Sequence, residues 1–127
     1  MQENKDLQKL AENTYKTMFK EDLDIPVTFN NRLSRSLGLT FFRNNKVSKI
    51  DLSSKLKNNI NTLLFVLKHE LIHVYCINKG VDSGHGEVFK SIANSKGVYT
   101  VNPRTKRRTY LVTHLDKDFN IIQEAKI

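Results

Sequence analysis

Residues 59–79 read NINTLLFVLKHELIHVYCINK, and this stretch decides the fold. Ile60, Leu63, Leu64, Val66, Leu67, Leu71, Ile72, Val74, Tyr75 and Ile77 cover most of a helical circumference, the pattern of a helix buried at the centre of a domain. Its middle is His69-Glu70-Leu71-Ile72-His73, an H-E-x-x-H pattern. Side chains four apart stack on one helix face, so the imidazoles of His69 and His73 can share one metal ion while Glu70 reaches a water beside it. Two neutral imidazoles leave such an ion electron-poor enough to acidify its water, and the carboxylate can carry the proton to a leaving amine. With 4 His and 6 Glu in 127 residues, chance produces the pattern in roughly 0.6% of shuffled chains. The ordinary alternative is a solvated helix surface. Here the flanking residues make the helix core, where unpaired polar groups are costly and a bound metal would satisfy them.

A zinc site takes a third protein ligand and leaves a fourth position open. Metzincin spacing would place Gly at position 76 and His at 79, where this chain has Cys76 and Lys79, so that class is excluded. The remaining candidates are His85, Glu87, Cys76 and His114. His85 is favoured: it lies in Asp82-Ser83-Gly84-His85-Gly86, where flanking glycines allow close backbone approach at the start of the next helix. A helix N-terminus also disfavours imidazolium and keeps the nitrogen available. Glu87 would complete a gluzincin set of two His and one Glu, although a carboxylate in a first helical turn ordinarily serves the helix dipole. Cys76 shares the face of His73 but reads as a small, half-buried hydrophobe. His114 falls on an alternating strand beside Tyr110 and Val112 and reads as structural or surface.

Working outward, Leu7, Leu10, Ala11, Thr14, Tyr15, Met18 and Phe19 predict an amphipathic N-terminal helix. After Pro26, the segments Val27 to Phe29, Leu37 to Arg43 and Val47 to Leu52 predict three short antiparallel strands, with Asn44-Asn45 as a hairpin turn. Gly80 stops the central helix, and Val88, Phe89, Ile92 and Ala93 predict a second, shorter one ending at Gly97. Strands follow at Val98 to Val101, Tyr110 to Leu115 and Phe119 to Ile122, the last two joined at Asp116-Lys117-Asp118. The fold class expected is α+β, in one domain over residues 1–127.

The chain is 27% charged and 39% hydrophobic, as expected of one globular domain. Its longest apolar run, Leu63 to Leu67, is far short of the roughly 20 residues of a membrane span. The N-terminus shows no apolar signal segment, and a lone Cys76 excludes an internal disulfide and all-cysteine zinc motifs. A cytosolic protein with no membrane partner is expected. Abundant Lys and Asn suit an AT-rich coding genome, such as that of a low-GC bacterium or its phage. Net charge is +8 and uneven: residues 1–58 hold 11 basic and 7 acidic groups, residues 59–89 hold 2 and 3, and residues 90–127 hold 8 and 3. Basic flanks of this size favour polyanionic partners. Arg104, Lys106, Arg107 and Arg108, near Tyr99 and Tyr110, form a candidate nucleic-acid contact suited to single strands, against the plain alternative of a solvated loop.

From about Leu7 to Lys96 the sequence resembles the SprT-like zinc metalloprotease domain. The similar features are the N-terminal helix, the Ile25-Pro26-Val27-Thr28-Phe29 strand with Asn31-Arg32-Leu33, Ile50-Asp51-Leu52-Ser53, the H-E-x-x-H helix, and His85-Gly86 followed by Phe89. The resemblance implies a zincin-like fold, one Zn2+ held by His69, His73 and His85, and Glu70 as catalytic acid/base. Its Spartan branch cleaves proteins crosslinked to DNA when DNA is present, which suits the basic flanks. Many such proteins continue into a cysteine zinc ribbon, and this chain has no cysteine after Cys76.

The leading expectation is a zinc-dependent endopeptidase acting on protein or peptide, with an exposed strand, Val47 to Leu52, pairing with extended substrate. The alternative is a non-proteolytic, zinc-stabilised module, phage-encoded, that grips nucleic acid or a host regulatory protein. A gluzincin-type peptidase with Glu87 as ligand is the third reading.

Overall fold

A computed structural model describes residues 4–33, 36–81, 84–96, 98–101, 108–115 and 121–126. The elements run α1 (Asn4–Phe19), β1 (Val27–Asn30), β2 (Gly38–Arg43), β3 (Lys46–Ser53), a 3-10 turn (Ser54–Asn58), α2 (Ile60–Asn78), α3 (Glu87–Ser95), β4 (Tyr99–Val101), β5 (Arg108–Leu115) and β6 (Ile121–Lys126). This is the mixed α+β class expected, and the H-E-x-x-H helix lies at its centre.

α2 begins at Asn59, whose side-chain oxygen accepts from Thr62 N at 3.1 Å. It ends in a Schellman pair: Gly80 N donates to Ile77 O and Val81 N to Cys76 O, with Gly80 at φ +69°. By length and composition α2 could cross a membrane, but Leu63, Leu67, Leu71, Ile72 and Cys76 are buried within the domain, as in a core helix. α1 packs on it through Phe19, stacked on Tyr75 at 4.1 Å and 7°. β2, β3, α3 and β5 also lie against α2, so the core forms around it.

The first sheet has the order β1-β3-β2. β2 and β3 form the expected antiparallel hairpin, and Asn44 and Asn45 take positive φ (53° and 61°), as a two-residue primed turn requires. The expectation of three antiparallel strands is corrected at β1, which runs parallel to β3 with Val27 opposite Ile50. The cause is burial. β3 carries Ile50, Asp51, Leu52 and Ser53, all buried, and so takes the middle, with β1 and β2 at the two edges.

The two edges of this sheet differ. α1 lies along β1 and places two amide side chains, four residues apart, on its main chain. Asn4 Oδ1 accepts from Phe29 N at 2.9 Å, and Gln8 accepts from Val27 N at 2.7 Å while donating to Ile25 O at 3.0 Å. That edge is closed by side chains that mimic a strand. β2 is the opposite edge, next to α2.

The second sheet has the order β4-β5-β6, antiparallel throughout, with β5 against α2 and β6 against α1. The expected turn Asp116-Lys117-Asp118, the stop at Gly97, and Arg104, Lys106 and Arg107 lie outside the described residues, as do the side chains of Arg108 and His114.

Candidate metal centre

His69 and His73 sit one turn apart on α2, half-buried, and His85, just before α3, lies against them. Nε2 of His85 is 3.0 Å from Nε2 of His69 and 3.1 Å from Nε2 of His73. A ring nitrogen carries either one proton or one lone pair, so His85 Nε2 can satisfy one of these two neighbours but not both. A cation among the three nitrogens satisfies all of them. Tetrahedral zinc with bonds of about 2.1 Å would hold its ligand atoms roughly 3.4 Å apart, close to the spacing present. The donor set therefore fits a metal ion.

The floor of the cluster is Phe89 on α3, itself 1% exposed. Its ring centroid lies 4.9 Å from that of His69, 4.6 Å from His73 and 5.1 Å from His85. One buried ring thus sets the tilt of all three imidazoles, which explains why a helix with Phe at its third residue follows His85.

Glu70 points to the sheet side of α2 and is buried. Burial pushes its carboxyl above the usual carboxylate range, while a hydrogen bond from Thr40 acts in the opposite direction. Thr40 Oγ1, on β2, lies 2.9 Å from Glu70 Oε1 and 3.3 Å from the Glu70 carbonyl oxygen.

A cleft of about 620 Å³ runs between β2 and α2, lined by Ser36, Gly38, Leu39, Thr40 and Phe42 on one side and His69, Glu70, His73, Ile77, Gly84 and His85 on the other. Its strand wall is β2. The expectation that Val47 to Leu52 borders the substrate is therefore corrected: this segment is β3, the central strand, whose two edges are taken by β1 and β2. Thr40 and Gly38 went unremarked in the sequence. The one available signal was a glycine inside a strand pattern, which marks close approach by another backbone or side chain.

Two of the other candidate ligands, Glu87 and Cys76, stand outside this cluster. Glu87 is exposed in the first turn of α3, and the metal-competent cluster found among the described residues is His69, His73 and His85. Cys76 is fully buried in the core rather than half-buried. A polar hollow of about 680 Å³, lined by Thr28, Asn30, Lys49, Asp51 and Lys57 among others, forms a second cavity. There Asp51 accepts from Asn30 Nδ2 at 3.0 Å and ties β1 to β3.

The fold and cluster define an α+β domain with an H-E-x-x-H helix and a third histidine from the following loop. Residues 5–109 match the family model described as the SprT-like family, and the chain belongs to that family. It is also similar to the germ cell nuclear acidic protein of Drosophila melanogaster, with 32% identity over 94 residues; the match covers 68% of this chain and 9% of that protein. No solved structure matches.

Proposed function

We propose that this chain is a zinc-dependent endopeptidase. The observation that carries the reading is the meeting of three imidazole nitrogens beside a buried carboxylate, at a sheet edge that carries no further strand among the described residues. Zinc, which suits three neutral imidazoles with one position left open, would supply Lewis-acid polarisation of the scissile carbonyl and a more acidic water. His69, His73 and His85 would hold it, and Phe89 keeps their rings in place.

Glu70 takes the proton of the attacking water and delivers it to the leaving amine nitrogen. Its burial suits the first half of that cycle, since a desolvated carboxylate is a stronger base than one in water. β2 receives the substrate as an added strand, so main-chain hydrogen bonds hold an extended polypeptide and sequence selectivity is broad. The substrate class is thus unfolded or locally extended protein. A net charge of +8 supports protein presented near nucleic acid.

The test is digestion of an unfolded protein by the zinc-loaded chain, with and without single-stranded DNA, read as new fragments by mass spectrometry. Fragments that vanish on chelation and return with zinc are expected. Their absence under both conditions contradicts the proposal.

A further inference from the structure

We infer that Thr40 is the positioning residue that joins the substrate-receiving edge of β2 to the proton carrier Glu70. This rests on the peptidase reading above.

Two independent features of Thr40 converge. The first is its side chain. A hydroxyl has one proton to give, and Thr40 Oγ1, half-buried, lies 2.9 Å from Glu70 Oε1, nearer than its 3.3 Å to the Glu70 carbonyl oxygen. A glutamate side chain has three torsions, so a donor anchored on a different element selects one arrangement among several. β-branching holds the threonine itself to few rotamers, which makes it a stiff support.

The second feature is its main chain. Ser53 N donates to Leu37 O at 2.8 Å, and the β2–β3 register places Gly38 opposite Leu52 and Thr40 opposite Ile50. In an antiparallel ladder alternate residues turn their N–H and C=O toward the partner strand. Leu37, Leu39 and Phe41 therefore face β3, and Gly38 and Thr40 direct theirs to the outer edge, which carries no strand among the described residues. A peptide added along that edge bonds to the main chain of the residue whose side chain holds Glu70. Ladder register and the aim of the carboxylate are thereby set by one residue, which brings a main-chain amide of any sequence into line with the base.

The test uses Thr40→Val, which keeps the shape and removes the proton, and Thr40→Ser, which keeps the proton. In the metal-free chain, three-bond couplings across χ1 and χ2 of Glu70 are measured by NMR. Wild type and Thr40→Ser are expected to show one rotamer, and Thr40→Val averaged values. In the zinc-loaded chain, Thr40→Val should lower kcat on the order of tenfold with KM within about twofold, and Thr40→Ser should keep kcat within about twofold of wild type. Unchanged couplings in Thr40→Val overturn the inference, as does equal loss of kcat in both variants. If wild type cleaves nothing, the peptidase reading fails instead, and the couplings still decide whether Thr40 holds Glu70.

Discussion

Gly38 and Val66 are in contact through the absence of a side chain: a Cβ built on Gly38 would stand 2.8 Å from Val66 Cγ1, 3.1 Å from Glu70 Cγ and 3.1 Å from Leu52 Cδ2. β2 can press onto α2 because position 38 has nothing to place between them. That closeness is what lets Thr40, two residues along the same strand, reach Glu70.

Gly38→Ala should therefore push β2 off the helix. The expected cost is about 1–3 kcal/mol, the usual range for overpacking a filled core, read as a lower midpoint in urea with unchanged slope. A wild-type midpoint would show that the contact relaxes without displacing the strand.

The edge closed by α1 makes a separate prediction. Gln8→Ala removes an acceptor from Val27 N and a donor from Ile25 O. Destabilisation of about 1–3 kcal/mol is expected from main-chain groups left unpaired. A bared β1 edge should also raise light scattering on heating, through strand pairing between molecules. Thermal unfolding followed by scattering checks both effects.

Metal and stability should be linked through the loop histidine. Free zinc at about 100 times its dissociation constant would add about 2.7 kcal/mol to wild-type stability, and a chelator would remove it. His85→Ala should unfold at one temperature with or without zinc. A zinc-dependent rise as large as that of wild type would remove His85 from the metal set.

Glu70 gives the metal-free chain a pH dependence of definite sign. Burial raises its carboxyl above its reference value of 4.5, so the folded state binds the proton more tightly than the unfolded state does. The stability this contributes is full below the unfolded-state value and is lost as pH rises through the folded-state value. Glu70→Gln should flatten that fall, which unfolding measured from pH 4 upward detects.

Much of the centre was legible before the fold. The all-round apolar pattern of residues 60–77 and the spacing of His69, Glu70 and His73 are local, so one helix brings them together. His85 could be picked out because glycines flank it. The hairpin at Asn44-Asn45 was equally local. Strand order was not, because β1 takes its place from α1, which reaches across through Asn4 and Gln8, and from the burial of β3. For the same reason the sequence did not reveal that Val47 to Leu52 has both edges occupied: alternation marks a strand but not its neighbours. Thr40 was invisible, since its meaning is a hydrogen bond to a residue 30 positions away.

The most direct test is Glu70→Gln in the zinc-loaded chain, with metal content and cleavage measured on the same preparation. The amide keeps the shape of Glu70 but cannot take a proton, so the variant should retain the metal of wild type and lose about 10²–10⁴-fold in cleavage rate. Cleavage at the wild-type rate by a metal-loaded Glu70→Gln would contradict the account.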